Sequence, residues 1–338
     1  MKKRGSGIAC TYFGMGNTAR PNPSSAFIEV CEDGTAIVHC GASELGQGSD
    51  TALGQIAAEA LGITPERVTM VSDDTMVVPE AGVTSASRQT YVSGNAIRLA
   101  AEQAKSILLG EVAEYMDRDP NDFEARDNRF FLKEKPDIYV TIKDVCTRLR
   151  RRGILVMGTG TYTPPTSEAL DPDTGLGIPY GAYSYATQIA EVEVDTETGE
   201  VTLLNLIAAQ DVGRAINPMA VEGQIEGGVA HGVGYALMEE VVVENGLIQN
   251  PSFSELLIPT SLDIPFIHSI ITEVPEPTGP FGAKGTGEPP ACPTAAAIIN
   301  AIYDAVGVEI TSTPVTAEKV YLALKKQREE RGCEKETK

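Results

Sequence analysis

Two distant stretches of this chain share one plan, and that repetition limits what it can fold into. Residues 26–31 alternate apolar and polar, Asp33-Gly34 follows, and residues 35–40 alternate again. Far downstream, residues 188–194, a turn ending in Gly199, and residues 201–207 do the same. A two-residue period gives each strand one inward face, and Asp-Gly between two such runs is a strong hairpin signal. Each hairpin leads through a polar loop into a helix. The first, over residues 50–61, carries Leu53, Ile56, Ala57, Ala60 and Leu61 at helical spacing; the second, over residues 221–237, is rich in small residues. The chain is therefore expected to be α+β, with two related lobes of mixed β-sheet flanked by helices. Turn-forming residues at 158–165 and 172–177 put the boundary between them. The expected units are 1–165, 166–325 and a charged tail, 326–338, that is a frayed helix end or disordered.

Several function classes are excluded at this level. The formal net charge is −20, the reverse of the basic face nucleic acid requires. The dense run Arg148 to Arg152 is expected to end a helix or lie on a contact surface. No apolar run reaches the ~18 residues of a membrane span, and the basic N-terminus lacks the apolar core of a secretory signal. The six cysteines are scattered with no C-x-x-C pair, so neither a zinc site nor an iron–sulfur cluster is expected in this chain, and free thiols suit the cytoplasm.

Four polar, Gly-rich segments join strands to helices. The first contains Gly46-Gln47-Gly48 just before a helix; a phosphate or polar ring suits unpaired helix N–H groups there, although an ordinary helix start capped by Ser49 or Asp50 fits equally. The second, residues 82–90, crowds hydroxyls and amides around Arg88 before a helix over residues 93–109, which suits an anion or simply a solvated loop. The third, residues 223–234, is so rich in glycine that close packing or a ligand must compensate for roughly 1 kcal/mol of helix stability per glycine. His231 in it has no partners at ligand spacing and is expected to be a packed polar residue. In the fourth, residues 282–290, Gly285 and Gly287 bend the chain and Pro289 biases Glu288 away from helical dihedrals, while Pro293 suits the first turn of a helix reaching residue 306. A single carboxylate held on such a bend fits a positioned general base better than a structural glutamate.

Together, and in this order, these segments resemble the cofactor motifs of the xanthine dehydrogenase and aldehyde oxidoreductase family. The segment Asp211-Val-Gly-Arg-Ala-Ile-Asn-Pro218 is similar to a family segment as well. The likeness is to the C-terminal half of the family's large molybdenum subunit, as a separate chain, with the medium molybdopterin subunit of nicotinate dehydrogenases the nearest in pattern. It implies the fold of the second molybdenum-binding domain and a molybdopterin cofactor, in the cytosine dinucleotide form usual in bacteria. Gly46, Gln47, Gly48, Thr84, Ser85, Ala86, Ser87, Arg88, Gln89, Gln224, Lys284 and Gly285 would surround that cofactor, and Glu288 would be the base. Tyr12, Phe13 and Met15 fall near the family's aromatic substrate pocket, but suit a core or interface equally. No protein side chain is expected to ligate molybdenum, whose sphere is completed by dithiolene, oxo, sulfido or selenido, and hydroxide groups. The implied reaction is hydroxylation of an electron-poor carbon in an N-heterocycle by water-derived oxygen; an aldehyde substrate or a non-catalytic cofactor-binding role are the alternatives. Implied partners are a large molybdopterin subunit, an iron–sulfur subunit and an FAD subunit, with no nucleic acid and no membrane.

Overall fold

The computed structural model describes residues 1–17, 21–165, 168 and 170–336, with side chains to residue 330. Strand β1 (Lys2–Gly14) comes first, then the hairpin β2 (Ser24–Val30) and β3 (Ala36–His39). The turn is closed by Cys31 N donating to the Thr35 carbonyl, with Gly34 at φ 81°. Helix α1 (Ser49–Leu61) crosses to β4 (Val68–Val71), which pairs parallel with β3. A π-turn, Gln89–Ser93, opens helix α2 (Gly94–Met116). A small meander, β5 (Phe123–Arg126), β6 (Arg129–Leu132) and β7 (Lys135–Thr141), precedes α3 (Ile142–Arg151). Strand β8 (Val156–Tyr162) completes the sheet β4-β3-β2-β8.

The second half follows the same course. The hairpin β9 (Tyr183–Asp195) and β10 (Val201–Asp211) leads to α4 (Pro218–Leu237). A small hairpin, β11 (Val243–Glu244) and β12 (Leu247–Ile248), and the single turn α5 (Phe253–Leu256) intervene. Then β13 (Ile267–Thr272) pairs parallel with β10, as β4 does with β3. Helices α6 (Thr294–Val306) and α7 (Ala317–Glu336) follow. The second sheet runs β1-β9-β10-β13, so its fourth strand comes from the start of the chain. Residues 2–14 therefore sit in the sheet of the later strands, although they precede the 165/166 boundary read from the sequence. They pair with β9 without a break from Lys2–Asp195 to Gly14–Tyr183.

Each sheet has its own apolar core. One gathers Ile28, Val38, Leu53, Ile56, Ile97 and Leu108; the other Val192, Leu206, Ile225, Val233, Ile298 and Ile302. Both use one packing device. Gly158 and Gly160 let α2 lie directly on β8: a Cβ there would stand 2.0 and 2.1 Å from the carbonyls of Ala100 and Ala96. Gly5 and Gly7 of β1 do the same under α6, where a Cβ would meet Ala305 N at 2.3 Å and Ala297 O at 2.2 Å. That corrects the sequence reading of residues 158–162 as turn-formers: they are strand, and the glycines serve the helix above. Close packing accounts for some of the glycines of the glycine-rich helix, since a Cβ on Gly228 or Gly232 would strike Pro290 or Thr294 at 2.7 or 2.4 Å, whereas Gly223 and Gly227 face open space. His231, expected to be packed, lies on the exposed face of α4. Arg148 and Arg152 close α3 against α2 by pairing with the buried carboxylate of Glu111. The charged tail runs on from α7 as far as Glu336; residues 337–338 lie outside the described part. Among the described residues no helix is long and apolar enough to cross a membrane.

Candidate cofactor site

All four Gly-rich segments meet at one cavity of about 340 Å³. The first lobe contributes the segment before α1 and the segment before α2. The second contributes residues 212–224, ending in the first turns of α4, and the loop before α6. Gln47, Gly48, Thr84, Ser85, Ser87, Arg88, Gln89, Gln224, Lys284, Gly285 and Glu288 all line it.

The first segment is braced by a residue to which the sequence reading gave no role. The Glu44 carboxylate accepts from the N–H groups of Gly46, Gly48 and Asp50, at 2.7, 2.9 and 3.0 Å, and from Ser49 Oγ. Burial pushes the Glu44 carboxyl up, but these bonds outweigh it and hold the pKa below the usual value. The helix N-terminus expected to offer free N–H groups is thus partly filled by the chain's own carboxylate. Neither Ser49 nor Asp50 caps it; Gly48 is the N-cap in the left-handed conformation with no side-chain cap. Gln47 is fixed by Nε2 donating to Gln89 Oε1 at 2.8 Å, and Gln89 in turn donates to Thr84 Oγ1 and the Ser43 carbonyl. Gly46 lies outside the cavity lining and turns the loop at φ 102°.

Arg88 serves a different purpose from the anion contact expected of it. It is 1% exposed, and all five guanidinium N–H groups are taken: Nε by Asn22 Oδ1, Nη1 by the Ala81 and Val83 carbonyls, Nη2 by those of Asn22 and Pro23. What it holds is the loop. That loop is strained, because Ala86 and Ser87 have φ 52° and 51°. Ala86 does not line the cavity; its carbonyl accepts from Gly16 N. The free guanidinium at the cavity belongs to Arg214, an exposed side chain with no hydrogen-bond or salt-bridge partner among the described residues. Beside it, Asn217 caps α4 by accepting from Ala220 N, a role that Asn-Pro at a helix start signals.

The fourth segment is clamped at three points. Lys284, 6% exposed, pairs with the equally buried Asp211 at 2.6 Å. Gly285 N donates to Met15 Sδ at 3.1 Å, and the buried Gln188 donates to the Pro290 carbonyl. Gly285 has no alternative, since a Cβ would stand 1.8 Å from the Ser87 carbonyl oxygen. Between these clamps the half-buried Glu288 reaches the cavity, its Oε2 in contact with Ser87 Oγ. Tyr12, Phe13 and Met15 do not line the cavity. Strand alternation sends Tyr12 to the open face of the second sheet, 72% exposed, and Met15 is buried against Tyr91, Val92 and Ala182.

Two observations bear on a bound polar group. Ser85 Oγ and Thr286 Oγ1, both on the lining, are buried without a hydrogen-bond partner. Such orphaned hydroxyls are costly unless something absent satisfies them. Gly48 faces open space where a Cβ would stand, so a flat ligand can approach its backbone. No group of three or more His, Cys, Asp or Glu that could hold a metal occurs among the described residues.

Comparison with known proteins identifies the architecture. The molybdopterin cofactor-binding domain family matches residues 1–265. Aldehyde oxidoreductase of Megalodesulfovibrio gigas is 35% identical over 96% of this chain, and the putative xanthine dehydrogenase molybdenum-binding subunit of Escherichia coli K12 is 31% identical over 94%. This chain spans only 32% and 42% of those two proteins. The solved structure of quinoline 2-oxidoreductase from Pseudomonas putida superposes with a TM-score of 0.86 at 26% identity, over 96% of this chain and 42% of that one. The two-lobed α+β fold, the motifs and these relatives agree: the chain belongs to the molybdopterin cofactor-binding domain family, among the xanthine dehydrogenase and aldehyde oxidoreductase type of molybdenum enzymes.

Proposed function

We propose that this chain is the part of a molybdenum hydroxylase that grips the pterin and supplies the base, Glu288. The carrying observation is the pairing, in one cavity, of an anchored carboxylate with the orphaned hydroxyls of Ser85 and Thr286. Those hydroxyls, Gln47 and Gln224 would hold the polar edges of the pterin, and Gly48 would give its plane room. Arg214 replaces Arg88 as the cation for the cofactor's phosphate, because it alone of the two has donors to give. When bound, the cofactor supplies the two-electron redox chemistry and activates water. Glu288 would accept a proton at its carboxylate from the water so activated, and the Lys284–Asp211 pair keeps its loop from moving.

The substrate we favour is an N-heterocycle with an electron-poor carbon, in keeping with the relative whose name is quinoline 2-oxidoreductase. An aldehyde is the second reading, supported by the identity to aldehyde oxidoreductase. The chain's short span of its relatives fits a complex in which a second molybdopterin polypeptide completes the pocket. Iron–sulfur and FAD subunits would carry the electrons away, and the cytoplasm suits such a complex. The cytosine dinucleotide form and a sulfido or selenido ligand belong to the same reading. The test is Glu288→Gln in the purified complex. Molybdenum and pterin should stay bound while turnover falls by about 10²–10⁴-fold, the range for a lost general base. Near-normal turnover rejects the assignment, and a wild-type complex without molybdenum rejects the function.

A further inference from the structure

Ser87 occupies a backbone conformation that glycine would adopt without strain, φ 51°, yet it is a serine. We infer that its hydroxyl is the positioning group for Glu288 and fixes which carboxylate oxygen takes the proton; the second half of this rests on Glu288 being the base. A serine hydroxyl has one hydrogen to donate and two lone pairs to offer. Gly287 N and Glu288 N each donate to Ser87 Oγ, both at 3.1 Å. With both lone pairs taken, the hydroxyl hydrogen has one direction left, toward Glu288 Oε2, which is in contact. Oε2 is thereby an acceptor from Ser87. Oε1, which has no hydrogen bond among the described residues, is the atom left to receive a proton from the cavity.

The anchor comes from the other lobe, across 201 residues of sequence, and the fit leaves no slack. The Ser87 carbonyl lies where a Cβ on Gly285 would stand, so the strained turn and the glutamate loop are pressed together. A rotamer search by a free Glu288 side chain is prevented by the bond to Ser87, and the loop beneath is held by the two N–H bonds.

The decisive variant is Ser87→Gly, which keeps the left-handed backbone and deletes only the side chain; Ser87→Ala, which keeps Cβ, serves as its control. Both are made in the purified molybdenum complex, with an aldehyde, a purine and an N-heterocyclic acid as substrates and a dye as electron acceptor. Molybdenum content should be unchanged. The kcat should fall roughly ten- to a hundredfold, the worth of one hydrogen bond to a charged group, with KM unaltered. In a Glu288→Gln background the Ser87→Gly change should add no further loss. A crystal structure of the Ser87→Gly complex should show the carboxylate turned away from its present position. A carboxylate that stays in place, or a Ser87→Gly complex with full kcat, overturns the anchor. If instead Glu288→Gln itself turns over normally, the base and the proton assignment fall, and the crystallographic result still decides the anchor separately.

Discussion

Replacing Arg88 by lysine separates the two roles that a buried arginine beside a cofactor site can have. The guanidinium satisfies five acceptors with five N–H groups. An ammonium has three donors, so at least two of the five acceptors lose their partner. Those acceptors lie at a site where Arg88 is 1% exposed, and each orphan costs about 1–3 kcal/mol. The sum is roughly 2–6 kcal/mol, reduced if water enters. At about 2.1 cal/mol/K of unfolding entropy per residue, a chain of 338 residues loses about 1.4 °C per kcal/mol, so the isolated chain should melt some 3–8 °C lower. Differential scanning calorimetry on the isolated chain measures this without the cofactor. Once folded, the Arg88→Lys complex should still bind molybdopterin, whereas Arg214→Ala should lose it without any change in melting temperature. A variant at 88 that melts like the wild type but has lost its pterin refutes this reasoning and restores Arg88 as an anion ligand.

Three further outcomes are expected. Gly158→Ala should destabilise the chain by about 1–3 kcal/mol or more in urea unfolding, because the methyl group meets the Ala100 carbonyl at 2.0 Å; a neutral result means that α2 does not lie so close to β8. Lys284→Met should cost about 3–5 kcal/mol, leaving the Asp211 carboxylate buried and unpaired, while the double change with Asp211→Asn recovers part of it; no recovery would mean that the pair is uncoupled. Glu44 has a folded pKa below its ordinary 4.5, so its contribution is complete above that value and disappears as pH falls through the lower folded value. Amide protection factors at Gly48 and Asp50, taken against the intrinsic exchange rate at each pH, should therefore fall at acid pH in the wild type and be low at all pH in Glu44→Ala. Protection that ignores both changes removes Glu44 as the brace.

The regular elements were legible because their signals are local. Alternation marked both hairpins, and apolar spacing marked α1 within a residue of its observed start, Ser49. Glycine misled where its reason was distant. Gly158 and Gly160 look like turn residues until α2, some 60 positions earlier, is laid over them. The motifs named the cavity, since segments from both halves meet there, but not what each side chain does inside it. Arg88 and Arg214 are both arginines in family-like segments; only the acceptors around them, Asn22, Pro23, Ala81 and Val83, tell one from the other. Tyr12 shows the opposite case, where proximity in a motif gave no clue to the face of β1 on which the ring would fall.

The borrowed strand β1 ties the order of assembly to the order of synthesis. Its thirteen residues are made well before β9 and have no partner until β9 follows, pairing from Lys2–Asp195 to Gly14–Tyr183. The first sheet closes within residues 24–162, while the second needs both ends of that interval. Closing such a long loop is an entropic cost that local strand pairing avoids. The first lobe is thus wrapped inside the second along the chain, and a cut near residue 165 would not yield two independent pieces. One fragment would carry a strand with nothing to pair with, the other a three-stranded sheet with β9 bare under α6. Mixed together, the two fragments hold complementary edges, and reassociation through β1 would restore the sheet that carries Lys284's partner, Asp211.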